Sequence, residues 1–293
     1  MILVTGANGQ LAGWVIKNLL NLTDAKNIAV CSRSTDSAFT AELRERGVDV
    51  RVGDFDRRET LPGAMAGITK VLIIPTYATN DVRLSQNISA LKAAKEAGVK
   101  HIVYPSFLNA KPNSHAEHSQ LVHYPTEQAI ISSGLTYTIL RHALYADITI
   151  GDLDDTLAKG VFRRPGGTSA CAYVAREDLG LSAATALVKD GHENKIYTET
   201  MTRTYTGADI AALMSEVFET PVRYESIRAV DWADFMIKEW GVPEELAKSS
   251  IGSMRAVETG EFDIVTNDYQ TIVGHPPRDF RQFLVDLKAS RSK

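Results

Sequence analysis

The sequence predicts an α/β fold in which helices cover both faces of a parallel, doubly wound sheet. Apolar runs alternate with helical stretches at the spacing of strand–helix–strand units. Glycines follow several of the helical stretches, as Gly47, Gly98 and Gly134 do. Strands connected in this way form right-handed crossovers. Their carboxyl ends therefore lie at one edge of the sheet, where such folds bind ligands.

The beginning of the chain shows the pattern most clearly. Ile2–Val4 is a short apolar run typical of a buried parallel strand, and a glycine-bearing turn connects it to a helix. Such a turn directs free backbone N–H groups and the positive end of a helix dipole at one spot, which suits a phosphate. Gly6 allows the tight turn, Gly9 lets a pyrophosphate approach, and Ala12 replaces the usual third glycine. We call residues 5–11 the phosphate turn; it predicts a Rossmann-type dinucleotide site.

The later elements follow from the same patterns. In the first half we predict strands over 28–30, 48–52, 71–74, 101–104 and 136–140, and helices over 41–46, 57–66, 82–97 and 115–133. In the second half we predict strands over 161–162, 196–198 and 222–227, and helices over 176–189, 206–218, 230–240 and 244–258. Residues 1–147 are thus expected to form the cofactor-binding Rossmann domain. Residues 148–293 are expected to form a smaller mixed α/β lobe on the substrate side, with some elements returning to the first domain.

Composition narrows the class of partner. The net charge of −4 does not indicate the positively charged surface that nucleic-acid binding requires, so we expect a small-molecule partner and no nucleic acid. No apolar run reaches membrane-spanning length and the first strand starts at Met1, so we expect a cytoplasmic protein without a signal peptide. Cys31 and Cys171 match no metal spacing and are expected to be reduced, and no metal site is predicted. We expect the protein to be a monomer or a homodimer.

Cofactor-binding residues are expected at the strand ends: Gly6, Asn8, Gly9, Gln10, Leu11, Ser32, Arg33, Asp54, Phe55, Pro75, Thr76, Tyr77 and Ser106. Arg33 follows the second strand, where a carboxylate would favour NAD and a basic residue favours the 2′-phosphate of NADP. Its guanidinium fork suits phosphate, so we predict NADP(H). Asp54 has two interpretations, a partner for the adenine amino group or a cap for the following helix.

Several longer motifs resemble the NmrA-like branch of atypical short-chain dehydrogenases, within it the bacterial NADPH:quinone oxidoreductase and triphenylmethane reductase group. The matching segments are residues 4–11, 94–101, 137–145, 191–197 and 274–277, which together extend over nearly the whole chain. The resemblance implies NADP(H) bound along the first domain and a small carboxyl-terminal lobe over the nicotinamide. It also implies two-electron reduction of quinones or conjugated dyes.

One position departs from the short-chain dehydrogenase pattern. Their Tyr-x-x-x-Lys pair matches Tyr124 and Gln128 here, so the lysine that lowers the tyrosine pKa is replaced by a neutral amide. We treat Tyr124 as a candidate catalytic residue and expect Gln128 to bond the cofactor ribose. The loss of lysine argues against alcohol dehydrogenation more than against quinone reduction, in which positioning does most of the catalysis.

Further catalytic candidates follow the sixth strand. Tyr145 is expected to bond an acceptor oxygen and His142 to orient cofactor or substrate, although both residues could instead pack the seam between the lobes. Tyr77 and Phe107 are candidates to stack on a flat ring. The leading hypothesis is an NADPH-dependent oxidoreductase acting on quinones or similar conjugated acceptors. The alternative is a redox-sensing regulator that binds NADP(H) without turnover.

Overall fold

The computed structural model describes residues 1–291 of the 293-residue chain. It contains strands β1 (Ile2–Thr5), β2 (Ile28–Ser32), β3 (Asp49–Val52), β4 (Lys70–Leu72), β5 (His101–Phe107), β6 (Thr136–His142), β7 (Leu144–Tyr145), β8 (Val161–Arg164), β9 (Tyr173–Val174), β10 (Lys195–Glu199) and β11 (Arg223–Ser226). Seven of these form a sheet in the order β10-β6-β5-β4-β1-β2-β3, with every neighbouring pair parallel. The predicted doubly wound fold is confirmed.

The helices are α1 (Gln10–Leu22), α2 (Ala38–Glu45), α3 (Leu61–Met65), α4 (Asn80–Glu96), α5 (Tyr124–Ser132), α6 (Ala146–Thr149), α7 (Leu153–Lys159), α8 (Arg176–Val188), α9 (Gly207–Phe218), α10 (Ala229–Trp240), α11 (Glu244–Ser249), α12 (Ile251–Glu258), α13 (Asp268–Val273) and α14 (Phe280–Arg291). Alternate residues of the central strands face opposite sides. Val4 and Val103 pack into a core with α1 and α8, whereas Leu3 and Ile102 pack into a second core with α3 and α4. Helices therefore cover both faces of the sheet.

The second half of the chain is divided between the sheet and a separate lobe. β10 pairs with β6, and α8 packs against α1, so these two elements complete the first fold unit. The lobe itself contains the two-stranded pair of β8 and β11 and the cluster around α10 to α12. The last two residues of the predicted 148–293 lobe lie outside the described residues.

Three predicted helices differ from those observed. The 57–66 stretch starts as a 3-10 turn and becomes α-helical only at Leu61, with Pro62 in the first turn, where its missing N–H costs no bond. The 244–258 stretch is two helices that meet at Ser250. The 115–133 stretch contains a π-helical turn over Ser119–His123, and the backbone N–H of His115 before it is bound by Glu261 of the second lobe. Such π turns are frequent at functional sites.

Candidate active site

The phosphate turn has the geometry that its sequence predicts. Gly6 has φ +67°, a conformation that L side chains rarely adopt, and its carbonyl accepts the Gly9 N–H at 2.8 Å. A Cβ on Gly9 would lie 3.1 Å from that carbonyl oxygen, so only glycine leaves the cradle open. Helix α1 begins here with no side-chain cap and no acidic residue in its first turn. Its first N–H groups, including those of Gln10 and Leu11, are therefore free to bind a pyrophosphate.

Polar groups converge where β2 ends. The Asn8 side-chain amide donates to Ser32 Oγ and to the Ser34 carbonyl, both at 3.3 Å, and its oxygen accepts from Ser37 at 2.8 Å. Arg33 is exposed and forms no ion pair within residues 1–291. A cation without a partner beside fixed hydroxyl groups is the arrangement that a 2′-phosphate requires.

The end of β3 changes the interpretation of two predicted residues. Asp54 accepts the Asp56 N–H at 3.0 Å and the Arg57 guanidinium at 3.1 Å, so its carboxylate stabilises the local turn. The side chain of Phe55 is buried in the core with α3 and α4. Any contact of Phe55 with a cofactor would therefore be made by its backbone, and its role stays a prediction.

A cleft of about 1630 Å³ leads from the phosphate turn to the seam between the lobes. Of the predicted residues, Gly9, Gln10, Leu11, Pro75, Thr76, Tyr77, Ser106, Phe107 and Tyr145 line it. Tyr77 is 80% exposed, which leaves its ring free for a ligand. The other predicted residues lie at or just after the ends of β1 to β3 and do not line the cleft: Gly6, Asn8, Ser32, Arg33, Asp54 and Phe55.

Ser106 is fixed from behind by a buried ion pair. Its hydroxyl donates to Glu127 Oε1 at 2.5 Å, and Arg141 binds both oxygens of Glu127 at 3.0 and 2.6 Å. The Glu127 side chain is completely buried and that of Arg141 is 25% exposed. This bidentate pair locks the carboxyl ends of β5 and β6 to α5.

Two predicted site residues on α5 do not reach the cleft. Gln128 is on the exposed face of the helix, and Tyr124 is half-buried outside the cleft lining. The inward positions lie one residue earlier, at His123, which lines the cleft, and at Glu127. Because residues four apart share a helix face, the whole predicted pair is displaced by one residue. Neither Tyr124 nor Gln128 lines the cleft, so the geometry supports neither the catalytic role nor the ribose contact, and both roles stay predictions.

Tyr145 and His142 form a unit, but only Tyr145 reaches the cleft. The Tyr145 hydroxyl lies 3.1 Å from Nδ1 of His142, whose ring is fully buried. His142 Nε2 lies 3.3 Å from a carboxylate oxygen of Glu199, too poorly aligned for a hydrogen bond. Burial raises the pKa of Tyr145, so its phenol stays protonated at neutral pH. His142 can thus act on a ligand only through Tyr145.

The comparisons with known proteins agree with this geometry. A model of the NmrA-like family matches residues 1–268. The chain belongs to the NmrA-like family. Quinone oxidoreductase 2 of Escherichia coli is 31% identical over 94% of this chain and 94% of its own length.

Two solved structures extend the similarity to three dimensions. The Citrobacter triphenylmethane reductase complexed with NADP(H) has TM-score 0.90 at 32% identity and covers 98% of this chain and 99% of its own. The E. coli NADPH-dependent quinone oxidoreductase complexed with NADPH has TM-score 0.91 at 29% identity and covers 98% and 100%.

Several residues of this NmrA-like site were not identified from the sequence. In the second lobe, Arg164 binds Asp152 and lies over the rings of Trp232 and Trp240, and all four residues line the cleft. The helical spacing of the two tryptophans favours core packing over a pocket wall, and it does not reveal which face of the helix is open. Glu199 lies just beyond a segment used for the resemblance, but its contact with His142 depends on the pairing of β10 with β6.

The described residues contain no cluster of three or more His, Cys, Asp or Glu side chains able to hold a metal ion. Within residues 1–291, no helix is both long and apolar enough to cross a bilayer.

Proposed function

We propose that this protein is an NADPH-dependent oxidoreductase that transfers hydride to quinones or similar conjugated acceptors. The observation that carries the proposal is the continuous cleft, which begins at the phosphate turn and ends among aromatic side chains of both lobes. One end suits a pyrophosphate, and the other suits flat rings. The named relatives act on quinones or dyes and use the same type of cofactor.

The cofactor would be held by residues already described. Gly6, Gly9 and the first turn of α1 bind the pyrophosphate, while Asn8, Ser32 and Arg33 hold the 2′-phosphate. Pro75, Thr76, Tyr77 and Ser106 line the path toward the nicotinamide. When bound, NADPH supplies the hydride. The protein positions the two rings and excludes water between them.

Tyr145 is the proposed group beside the acceptor oxygen. As a neutral phenol it donates a hydrogen bond, and His142 orients it from behind. Replacing Tyr145 by Phe should lower kcat for quinones about 100-fold, because a positioned hydrogen-bond donor to the acceptor oxygen is lost. The dissociation constant for NADPH should not change. An unchanged kcat would remove Tyr145 from the reaction.

The decisive test is NADPH oxidation with a panel of quinones and conjugated dyes, paired with calorimetric titration of NADPH and NADH. Turnover with at least one acceptor and tighter binding of NADPH are expected. Binding without turnover of any acceptor would instead favour the redox-sensing regulator. The feature that favours the regulator is Gln128 in place of the lysine, and this residue lies on the exposed face of α5.

The remaining expectations are parts of the same proposal. The protein would act in the cytoplasm on a small quinone-like molecule, as a monomer or homodimer and without nucleic acid. Light scattering at micromolar concentration would test the oligomeric state.

A further inference from the structure

Three arginines line the cleft, and only two of them have carboxylate partners. Arg164 is bound by Asp152 and Arg176 by Asp147. Arg83, at the start of α4, forms no ion pair within residues 1–291. Its Nε is buried without a hydrogen-bond partner, and its Nη2 lies 3.5 Å from Nε2 of His123. This is the cleft arginine whose charge no described carboxylate compensates.

Three rings line the cleft together with Arg83, those of Phe107, His118 and His123. Phe107 packs edge-on against His118, with 4.2 Å between the ring centroids, and lies parallel to His123 at 5.9 Å. Burial lowers the pKa of His118 to about 3 and that of His123 well below its usual value, so both rings are uncharged at neutral pH. We call Arg83, Phe107, His118 and His123 the anion corner.

The hydrogen bonds behind His123 fix what its ring presents to Arg83. Asn87 donates to the hydroxyl oxygen of Tyr104 at 3.1 Å, and that hydroxyl lies 3.0 Å from Nδ1 of His123. With Tyr104 donating to Nδ1, the imidazole carries its proton on Nε2, facing the Arg83 guanidinium. In that tautomer both groups are donors, so neither accepts from the other, and both residues line the cleft. An oxygen atom with negative charge would satisfy both.

We propose that the anion corner binds the acceptor oxygen that becomes negatively charged on reduction. Hydride transfer to a quinone adds two electrons and one proton to it, oxidises the dihydronicotinamide, and leaves one negative charge on an acceptor oxygen until water supplies a second proton. Arg83 stabilises this charge without losing its own proton. Its part in the reaction rests on the proposed function, whereas its ability to bind an oxyanion does not.

A purely structural role for Arg83 has a different energetic consequence. A buried charge with no partner destabilises the protein that contains it. Arg83→Met should therefore leave the thermal unfolding temperature unchanged or raise it. An arginine that holds the fold together would lower that temperature when replaced.

The test uses 4-nitrophenol, whose phenolate absorbs visible light and whose pKa is therefore read directly in the bound state. It is titrated in the presence of NADP⁺, so no reductant is available. The wild-type protein should lower the pKa of the bound phenol by about 1 to 3. Arg83→Met should abolish this effect, and Arg83→Lys should retain part of it because the charge remains.

Arg58→Met is the matched control. Arg58, like Arg83, has no ion pair within residues 1–291, and it donates a hydrogen bond to Ser85 of α4, the helix that contains Arg83. Arg58 lies outside the cleft. Its replacement should leave the pKa of the bound phenol as in the wild type. Two results would overturn the proposal: failure of the wild type to bind the phenolate at millimolar concentration, or an equal pKa of the bound phenol in the wild type and in Arg83→Met.

The same variants separate this inference from the proposed function. Arg83→Met should reduce kcat/KM for quinones about 100-fold, as expected for the loss of an oxyanion donor. Arg83-dependent phenolate binding in a protein that reduces no quinone would support the anion corner and contradict the proposed function. Quinone reduction that is insensitive to Arg83→Met would support the proposed function and contradict the anion corner.

Discussion

The two ends of the cleft are built in different ways. The phosphate turn is one local segment in which backbone groups do the binding, with the carbonyl of Gly6 accepting the N–H of Gly9. The anion corner is made of side chains from α4, from β5 and from the π-helical turn and the residue preceding it. A local site tolerates changes elsewhere but not a new Cβ. A site assembled from distant elements depends on the packing that brings them together.

The largest expected effect comes from breaking the support behind the acceptor end. Glu127→Gln leaves Arg141 without its carboxylate and should lower the free energy of unfolding by about 3 kcal/mol. Urea denaturation measures this loss. Glu216→Gln is the control, because the Glu216–Arg281 pair is about half exposed and should contribute less than about 1 kcal/mol. Equal losses in the two variants would contradict the structural role of Glu127.

A change in the phosphate turn should affect binding but not the acceptor end. Gly9→Val would place its side chain against the Gly6 carbonyl and fill the cradle, so NADPH should bind about 100-fold more weakly through loss of charge-assisted hydrogen bonds. Calorimetry measures the dissociation constant. Gly13→Ala lies in open space and should have no effect on it. Normal NADPH affinity in Gly9→Val would place the pyrophosphate elsewhere.

Arg33 distinguishes the two dinucleotides. Arg33→Gln should weaken NADPH binding about tenfold and leave NADH binding unchanged, because only NADPH carries the 2′-phosphate. Arg46→Gln, an exposed change at the end of the neighbouring helix α2, provides the comparison. Should both cofactors lose affinity equally, Arg33 would have no role in selecting between them.

The last effect concerns pH and develops only as the pH falls. Burial lowers the pKa of His118 to about 3 and of His101 to about 4, below the unfolded value of about 6.5. Between the folded and unfolded pKa values, the unfolded chain therefore binds more protons than the folded protein. The free energy of unfolding is highest above about pH 6.5 and falls as the pH decreases below it. Each such histidine contributes about 1.4 kcal/mol per pH unit.

Replacing His118 by Gln should reduce the slope of the free energy of unfolding against pH, below about pH 6.5, by the contribution of one histidine. The exposed His275 serves as the control, since His275→Gln removes a ring that is near the surface in the folded state. Denaturant midpoints measured from pH 7 to pH 4 provide the slopes. Parallel slopes for His118→Gln and the parent protein would show that His118 is not buried as a neutral ring.

The same contrast explains what the sequence could predict. The phosphate turn, the order of strands and helices and the arginine that follows β2 depend on local patterns, so they could be predicted from neighbouring residues. The inward face of α5 depends on a π-helical turn, which places His123 and Glu127 at the site instead of Tyr124 and Gln128. Likewise, the role of Arg83 depends on which partners other elements supply, and no local pattern records that.

A crystal structure with NADP⁺ tests the central claim most directly. We expect the pyrophosphate at the N–H groups of Gln10 and Leu11, the 2′-phosphate at Arg33, and the nicotinamide between Ser106 and Tyr145, with the anion corner open beside it. A nicotinamide bound away from Ser106 and Tyr145, or a pyrophosphate away from the phosphate turn, would contradict the account.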